Sequence, residues 1–424
     1  MRILISAFSF APHQGSEPGV GWRWAQELAR EHDVVVITDA TRRAAAEAEL
    51  QAAPQPRLQV VYHRPRWLAR VPLRAATAQG LYALWQFSLP ALARRLHAQQ
   101  PFDLGLHLTY GVFRHPSLLG GMGFPFVFGP LGGGEDAPRA LKASIGGRDR
   151  VKEGLRWLLN RVVMLDPVLW WAYARSDLVL VKTEQTRAAL PWPFRRGAEV
   201  FTEIGVDLPP QAPHAQRGPQ EPLRLLYAGR LLGWKGVHLA MRAVAQVRQR
   251  GVDAQLSIVG RGPYETVLHA LHARLDLGEA VRFVPHLPQA DLFGLYRSAH
   301  ALLFASLHDS SGNVVLEAQA HGCPVVCLDI GGPATLVTPA TARVVSSAGA
   351  DEEQLVTRLA DALQWLAQHE PARREMAAAA RQHAALQGWP GRAAALLALV
   401  ATRGLLPGPT GGLAPPSTAA HREP

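Results

Sequence analysis

Two carboxylates with seven residues between them mark the stretch of this chain with the clearest potential for chemistry. Asp309 lies in a polar loop, and Glu317 lies in a short helix that the pattern predicts at 313–321. The loop follows an apolar run at 301–304, which predicts a buried strand. Both acids therefore lie at or just beyond the carboxyl end of a strand, where open α/β sheets bind their ligands.

The start of the helix that carries Glu317 offers a second kind of contact. The first turn of a helix has backbone N–H groups without a partner inside the helix, and such groups bind polar or anionic ligands. Gly322 predicts the end of this helix, and the apolar run 325–328 predicts the strand that follows. The available N–H groups are predicted at Ser311, Gly312 and Asn313.

Strands that alternate with helices occur in two series, which predicts two doubly wound parallel sheets. The first series has apolar runs at 2–10, 34–38, 58–62, 103–108, 126–128 and 178–181. The second has runs at 223–227, 255–259, 281–284, 301–304 and 325–328. The sequence thus predicts an α/β fold with two lobes that face each other across a cleft.

The predicted domains follow from these segments. Residues 1–207 are expected to form an N-terminal Rossmann-like domain and residues 223–388 a C-terminal one. The segment 208–222 has five prolines and no periodicity, so it is predicted to link them. A helix at 389–404 is expected to return to the N-terminal domain. The Pro- and Gly-rich segment 405–424 is expected to be disordered.

The unit around the two acids resembles the signature of retaining, nucleotide-sugar-dependent glycosyltransferases of family 4. That family has the GT-B fold and occurs in bacterial polysaccharide biosynthesis. Its pattern is an acid, seven residues, Glu, a small-residue turn and Pro-Val-Val. Here the acids are Asp309 and Glu317, and residues 322–326 read Gly-Cys-Pro-Val-Val. The family usually has Glu at the first position, so Asp309 keeps the charge on a side chain one methylene shorter.

The resemblance covers nearly the whole chain up to about Trp389, and it is strongest in the second lobe. It implies that two cations bind the diphosphate of a nucleotide-sugar donor. Gly229-Arg230 and Lys235-Gly236 are similar to the family's Gly-Arg and Lys-Gly pairs, and the two cations would neutralise the diphosphate as the sugar departs.

The resemblance also assigns the two acids. Glu317 would accept hydrogen bonds from the ribose hydroxyls, and Asp309 would hold the donor sugar together with the N–H groups near Gly312 and Asn313. Because two cations can replace a metal ion in this arrangement, no metal and no other cofactor is expected. The sequence also has no Asp-x-Asp motif and no cluster of His or Cys at metal-ligand spacing.

Four glycines complete the implied donor site. Gly260 and Gly262 would border the pocket for the base. Gly19 and Gly21, in a predicted loop at 12–21, match a glycine-containing loop that faces the donor diphosphate across the cleft in the family. The alternative for this loop is a plain turn between a strand and a helix.

The first lobe has weaker candidates. His107 ends the fourth predicted strand, where the family often has a histidine that points at the donor sugar. His115 could take that role instead, and a buried structural histidine is an equal alternative. Glu17, Gly133 and Glu135 are candidates for acceptor contacts, although Glu135 could equally be an ordinary charged turn residue.

Composition excludes several classes of protein. The chain has 424 residues, 48% of them hydrophobic, but no uninterrupted apolar run of eighteen, so no transmembrane span is expected. The N-terminus runs straight into a strand without a small-residue cleavage site, so no signal peptide is expected. The only cysteines, Cys323 and Cys327, belong to a buried strand region. They favour a reducing cytoplasm over a disulfide framework or a zinc site.

The net charge of +10 is unevenly distributed. Residues 50–102 contain seven arginines and no acid, with aromatic residues such as Trp67 and Trp85 between them. One interpretation is a solvated helical face. The other is peripheral contact with anionic lipid headgroups at the inner face of the plasma membrane. Nucleic acid is not expected as a partner because no recognised nucleic-acid module occurs.

The predicted function is therefore that of a retaining, metal-independent glycosyltransferase. It would move a sugar from a UDP- or GDP-linked donor to a lipid-linked or polysaccharide acceptor in cell-surface polysaccharide biosynthesis. One alternative is a nucleotide-sugar epimerase or hydrolase on the same fold, for which the sequence offers no acid/base dyad. Another is a non-catalytic scaffold that binds sugar nucleotides or membrane, for which Asp309 in place of Glu is the only hint.

Overall fold

The computed structural model describes residues 1–406 except 69–70, 72, 74–76, 211–214 and 286. Arg70 and Arg74 of the acid-free stretch and part of the predicted linker lie outside the described residues. So does nearly all of the segment 405–424 that is predicted to be disordered.

The first lobe is built on a sheet of seven parallel strands. They are β1 (Arg2–Ser6), β2 (Asp33–Thr38), β3 (Leu58–Tyr62), β4 (Leu104–His107), β5 (Phe126–Leu131), β6 (Leu178–Val181) and β7 (Ala198–Val200). Their spatial order is β3-β2-β1-β4-β5-β6-β7. Runs such as DVVVIT in β2 are buried almost throughout, as expected for a parallel sheet covered by helices on both faces.

The second lobe repeats this arrangement with six parallel strands. They are β8 (Leu223–Ala228), β9 (Ala254–Val259), β10 (Val281–Val284), β11 (Ala301–Phe304), β12 (Val325–Leu328) and β13 (Ala342–Val345). Their order is β10-β9-β8-β11-β12-β13, so the first strand of each lobe pairs with the second and the fourth.

Helices connect these strands in both lobes. They are α1 (Ser16–Ala29), α2 (Arg43–Ala52), α3 (Ala78–Gln86), α4 (Leu89–Gln99), α5 (Gly147–Val162), α6 (Pro167–Ala174), α7 (Glu184–Ala189), α8 (Val237–Gln249), α9 (Glu265–Arg274), α10 (Gln289–Ser298), α11 (Asn313–Ala320), α12 (Gly331–Thr335), α13 (Glu352–Gln368), α14 (Glu370–Leu386) and α15 (Trp389–Thr402). Within the described ranges, no helix combines the length and the apolar character needed to cross a membrane.

The strand order places one ligand crevice in each lobe. Each order reverses beside the first strand, between β1 and β4 and between β8 and β11. At such a switch point a crevice opens outside the carboxyl ends of the strands. In the second lobe, the loops that leave β8 and β11 at this edge carry Arg230 and Asp309.

The chain passes between the lobes twice. Residues 201–222 lead from β7 to β8, and residues 387–388 lead from α14 to α15. The crossings are adjacent, because the backbone N–H of Val206 donates to the carbonyl of Gln387 at 3.1 Å. α15 occupies most of the segment 389–404 and packs on α1 of the first lobe, with the Trp24 and Trp389 ring centroids 6.4 Å apart.

The elements differ from the predicted ones in two respects. The first strand ends at Ser6 and α1 already begins at Ser16, so the connecting loop lies at 7–15 rather than at the predicted 12–21. The strands β7 and β13 were not predicted. Each has only three or four residues, lies at a sheet edge and exposes part of its length, so neither has a continuous apolar run.

Candidate active site

A cavity of about 410 Å³ lies between the lobes at the switch point of the second sheet. The first lobe contributes Gly15, Glu17, Val20 and Glu203 to its lining. The second lobe contributes the residues after β8, the loop after β11 and the first turns of α11. The structure thus brings Arg230, Lys235, Asp309, Ser311, Gly312, Asn313 and Glu317 together with Gly229 in one cavity.

Lys235 and Asp309 form an ion pair in this cavity. Lys235 ends a 3-10 turn at Gly233–Lys235, and its Nζ lies 2.5 Å from Oδ2 of Asp309. Burial alone would raise the pKa of the Asp309 carboxyl, but the Lys235 ammonium and the N–H of Ser311 hold that pKa below its ordinary value. Asp309 is therefore ionised at neutral pH and holds Lys235 in place.

The loop that carries Asp309 is held by its own backbone. Oδ1 of Asp309 accepts hydrogen bonds from the N–H groups of Ser311 and Gly312, each at 3.3 Å. The N–H of Gly332, in the short helix after β12, donates to the carbonyl of Asp309 at 2.7 Å. The two glycines at 331–332 thus position the loop, a function that sequence reasoning did not assign to them.

Glu317 lies one turn into α11 and lines the same cavity. Burial raises the pKa of its carboxyl to about 7, and the Tyr296 hydroxyl, which donates to Oε2 at 3.2 Å, opposes this rise. A carboxyl with this pKa changes its charge near neutral pH. As a carboxylate it can accept hydrogen bonds from ligand hydroxyls.

Arg230 lies in the loop after β8, where it is exposed and lines the cavity. Its guanidinium has no hydrogen-bond or ion-pair partner in the part of the chain that the structure describes. A planar guanidinium without a protein partner is suited to bind phosphate oxygens through two parallel hydrogen bonds.

Gly260 and Gly262 have a packing role beside the cavity. A Cβ atom on Gly260 would overlap the carbonyl oxygen of Gly229, and one on Gly262 would overlap that of Leu231. Only glycine allows the ends of β8 and β9 to approach this closely. Neither residue is among those that line the cavity, so their contact with a base stays a prediction.

The predicted glycine pair of the first lobe lies inside α1 rather than in a loop. Gly19 lines a second cavity of about 360 Å³ that adjoins the first. Gly21 is buried against β1 and the loop after it, where a Cβ atom would contact the carbonyl of Ser9. The assignment of Gly21 to the donor site is therefore corrected, because its backbone faces the sheet. The backbone at Gly15, the N-cap of α1, lines both cavities instead.

His107 does not reach the cavity. Its side chain is 0% exposed, shares a 3.0 Å hydrogen bond with the Tyr82 hydroxyl and packs on Phe128. Burial, with a smaller effect of His115, lowers its pKa to about 3. The prediction of a catalytic His107 is corrected, because the side chain lies on the sheet face that α3 covers. His115 is half-buried against Tyr82, and burial lowers its pKa to about 4.

Glu135 bridges the two lobes. Its side chain is 1% exposed, and Oε1 accepts hydrogen bonds from the hydroxyls of Thr183 at 2.6 Å and Thr186 at 2.7 Å. Oε2 accepts from the N–H of Gly133 at 2.9 Å and from the hydroxyl of Ser310, in the second lobe. Both oxygens of the Glu135 carboxylate therefore accept hydrogen bonds from the protein. These hydrogen bonds favour a bridging role for Glu135 and Gly133 over the predicted acceptor contact.

Lys182 and Glu203 form a second bridge that sequence reasoning missed. Nζ of Lys182 lies 2.5 Å from Glu203 and 3.8 Å from Glu17, and it donates to the Ser311 hydroxyl at 3.2 Å. That hydroxyl donates to Glu203 at 2.7 Å. Burial alone would lower the pKa of Lys182, but the two carboxylates hold it above its ordinary value. The sequence signal that could have found this bridge is a lysine directly after the buried run LVLV of β6.

Glu17 is the one predicted acceptor residue that lines the cavity between the lobes, among those that the structure describes. It lies in the first turn of α1, and its Oε2 accepts a hydrogen bond from the N–H of Tyr110 at 2.8 Å. Burial raises its pKa, although nearby Lys182 opposes this. Within the described ranges, no group of three or more His, Cys, Asp or Glu side chains is placed to hold a metal ion.

Comparison with known protein families gives a match to the second lobe. Residues 211–383 match the family profile described as "Glycosyl transferases group 1". The second lobe is therefore similar to group 1 glycosyltransferases. This match includes Arg230, Lys235, Asp309 and Glu317, and it covers less than half of the chain.

A curated relative agrees with this match. The D-inositol 3-phosphate glycosyltransferase of Corynebacterium diphtheriae is 31% identical over 233 residues, which are 50% of this chain and 53% of that protein. The chain thus spans about half the length of the curated relatives it matches.

Solved structures match over nearly the whole length. Sucrose-phosphate synthase from Thermosynechococcus elongatus has a TM-score of 0.62 at 18% identity, covering 95% of this chain and 98% of that one. HepE from Anabaena, in complex with UDP, has a TM-score of 0.59 at 16% identity, covering 95% and 99%. The fold is GT-B, with two Rossmann-like domains that face each other across a cleft, as predicted.

Proposed function

We propose that this protein is a glycosyltransferase that moves a sugar from a nucleotide diphosphate sugar to a second substrate. The observation that carries the proposal is the convergence of Arg230, Lys235, Asp309 and Glu317 on one cavity between the lobes. Two cations, a carboxylate and a carboxyl with a pKa near neutrality are the groups that a diphosphate, a sugar and a ribose require.

Arg230 and Lys235 bind the diphosphate in this proposal. The bond between the anomeric carbon and the diphosphate oxygen breaks, and negative charge develops on the leaving group. Arg230, which has no partner within the described ranges, and Lys235, which Asp309 orients, stabilise that charge in place. Because these cations supply the positive charge, we propose that the reaction needs no metal ion.

The remaining groups hold the rest of the donor. Glu317 accepts hydrogen bonds from the ribose hydroxyls, and Asp309 with the N–H groups at the start of α11 holds the sugar. HepE was solved with UDP, which favours UDP-linked donors as the first to test, with GDP-linked donors as the alternative.

The acceptor is proposed to be lipid-linked or a polysaccharide, and the anomeric configuration to be retained. The second cavity, about 360 Å³, shares Gly15, Val20, Asn313 and Glu317 with the first, so the cleft has room for two substrates. One relative is a D-inositol 3-phosphate glycosyltransferase, which makes a small polar acceptor the alternative to test.

Calorimetric titration with UDP, GDP and their sugars, followed by a donor-hydrolysis assay, tests the proposal. We expect one nucleotide to bind and its sugar to be hydrolysed slowly without an acceptor. Arg230→Ala should lower this turnover by roughly a hundredfold to a thousandfold, whereas Arg282→Ala, a matched change of an exposed arginine in β10, should leave it unchanged. Epimerised donor would support the epimerase alternative. Binding without any turnover would support the non-catalytic scaffold. No binding of any nucleotide would contradict the glycosyltransferase, the epimerase and the scaffold alike.

A transfer product, once obtained, tests the stereochemical part. Proton NMR of the new glycosidic bond gives its anomeric configuration directly. The same configuration as in the donor is expected, and the opposite configuration would contradict retention without affecting the assignment of the donor site.

A further inference from the structure

The helix α5 is built with its polar side facing the protein and its apolar side facing solvent. The inward residues are Asp149, Glu153, Arg156 and Asn160, which recur at helical spacing on one side. Asp149 and Glu153 have side chains that are 9% and 5% exposed. A surface helix of a globular protein normally has the opposite arrangement.

The inward side is held by polar contacts to the loops of the active site. Oδ2 of Asp149 accepts a hydrogen bond from the N–H of Gly233 at 3.0 Å, two residues before Lys235. Oε1 of Glu153 lies 3.0 Å from Nε2 of His308, which precedes Asp309. Both partners belong to the second lobe. α5 is therefore fixed across the cleft without using its apolar side chains.

The outward side is a continuous apolar strip, which we call the α5 strip. Its residues recur at positions i, i+4, i+7, i+8 and i+11 along the helix, and the strip continues into the 3-10 turn after it. Each of its side chains is between 49% and 83% exposed. Exposed apolar patches of this kind mark interaction sites. The strip consists of Val151, Leu155, Leu158, Leu159, Val162 and Leu165.

Positive charge surrounds the strip. Segment 139–166 has seven basic residues and three acidic ones. Two of the acids, Asp149 and Glu153, face inward and pair with Lys152 and Arg156, which leaves five basic residues against one acid, Asp166, in this segment. Lys152 is 62% exposed beside the strip. On the other side, the guanidinium of Arg161 lies 4.2 Å from the centre of the half-exposed Trp157 ring. An apolar face flanked by cations and an aromatic residue fits an anionic lipid interface.

We propose that the α5 strip docks on an anionic lipid bilayer and lies in its interface. The helix has 16 residues and carries charges on its inner side, so it lies along the surface rather than crossing it. Docking would place the loops of Lys235 and Asp309 directly behind the membrane-bound helix. The proposal does not depend on the sugar-transfer reaction, since it rests on this face alone.

This surface differs from the one predicted at 50–102. There Leu81, Trp85 and Leu89 are buried in the first lobe, and Arg64 is paired with Asp39. The 3-10 turn after α5 and the helix α3 nevertheless pack against the same hydrophobic cluster, through Val163 and Leu81. Variants of the arginines in 50–102 are therefore included in the experiment below.

Co-sedimentation with phosphatidylcholine vesicles, with or without phosphatidylglycerol, tests the proposal on the full chain without any substrate. We expect the protein to bind the anionic vesicles more strongly. The double change Leu155→Asn with Leu158→Asn should lower the partition coefficient by about tenfold or more, because two apolar side chains leave the interface. The matched control, Val267→Asn with Leu386→Asn, changes exposed apolar residues of the second lobe and should have little effect.

A site-specific label provides the second measurement. Both native cysteines are buried, so Leu158→Cys introduces an accessible thiol for an environment-sensitive fluorophore. A blue shift on addition of anionic vesicles, and none for a label at Leu386→Cys, is expected.

Several outcomes would overturn the proposal. One is equal binding of the Leu155/Leu158 variant and the parent, and another is equal partition onto neutral vesicles. Loss of binding only on Arg94→Ala with Arg95→Ala would assign the membrane surface to 50–102 instead. A parent that is dimeric by light scattering, does not bind vesicles and becomes monomeric on the Leu155/Leu158 change would show that a second copy covers the strip.

Discussion

At the residue scale, the candidate site presents its two cations in different states. Lys235 is already paired with Asp309 at 2.5 Å, whereas Arg230 has no partner within the described ranges. In the proposed reaction, an incoming diphosphate would therefore meet one oriented ammonium and one guanidinium that loses no protein contact on binding. The ion pair also shows that the shorter side chain of Asp309, in place of the usual Glu, still reaches the cation.

Arg230→Ala should lower kcat of the proposed transfer strongly and leave folding unchanged. The guanidinium is exposed and stabilises charge that develops only in the transition state, so its loss should cost about 3–4 kcal/mol of activation free energy, or roughly a hundredfold to a thousandfold in rate. Steady-state kinetics with and without a chelator measure this. Abolition of the parent's turnover by the chelator would contradict the metal-independent mechanism.

Glu317 should make nucleotide binding depend on pH. Its pKa is raised to about 7, so the carboxyl is protonated in the free protein below that pH, and only the carboxylate accepts both ribose hydrogen bonds well. Affinity for the nucleoside diphosphate should therefore fall as the pH decreases through about 7. Calorimetry in buffers of different ionisation enthalpy should detect proton release on binding near neutral pH.

Glu317→Gln is the control for this pH dependence. The neutral amide should bind the nucleotide several-fold more weakly and should remove the part of the pH dependence that belongs to the protein, leaving only that of the phosphate. A variant with the parent's affinity at every pH would remove Glu317 from the site.

At the element scale, the loop at 308–311 contacts both lobes and carries Asp309, the carboxylate that we propose holds the donor sugar. His308, Ser310 and Ser311 contact the first lobe, while the Asp309 side chain turns to Lys235 in its own lobe. The geometry of Asp309 thus depends on contacts made by its neighbours across the cleft. Glu135, which accepts a hydrogen bond from Ser310, is the most buried of those partners.

Glu135→Gln should destabilise the fold by about 1.5–3 kcal/mol, because charge-assisted hydrogen bonds are lost in a buried place. Burial alone would raise the pKa of Glu135, but its hydrogen bonds hold the pKa below the ordinary value of 4.5. Its contribution is therefore present above about pH 4.5 and is lost as the pH falls through the lower folded-state pKa. Thermal unfolding against pH measures this. Glu279→Gln, which is 88% exposed, should change neither midpoint nor pH profile.

The sequence predicted the strands near the site well, because β11 and β12 are continuous apolar runs, and β8 and β9 are largely apolar and are followed by Gly229 and Gly260. Its predictions for the first lobe were weaker. His107 lies at the carboxyl end of a strand, close to where site residues are found in the second lobe. The sheet face on which its side chain lies, however, depends on packing against Tyr82. The partnership of Lys182 with Ser311 joins residues 129 positions apart, and no local pattern records such a contact.

At the scale of the whole molecule, the first lobe is completed by the last described helix. α15 packs on α1, Trp389 contacts Trp24, and Arg403 pairs with Glu199. The two chain crossings beside Val206 and Gln387 therefore form a double connection between the lobes. Relative motion of the lobes has to occur about this connection.

Trp389→Ala should reduce the stability of the first lobe by about 3–5 kcal/mol, because a large buried side chain leaves a cavity. Trp389 is 7% exposed, and its ring lies against the backbone of Gly205. Limited proteolysis and circular dichroism against temperature measure the change. Trp192→Ala, at a position that is 74% exposed, is the matched control and should unfold as the parent does.

The position of α15 has a consequence for how the protein is made. A ribosome synthesises α1 before the second lobe, and it must add the whole second lobe before Trp389 emerges to pack on Trp24. At about 5–20 residues per second, this delay is roughly 10–40 s. During that time the nascent first lobe exposes an apolar helix face that α15 later covers. Chaperones that bind nascent chains therefore have a defined target in α1, and translation pauses within the second lobe should increase aggregation of the first.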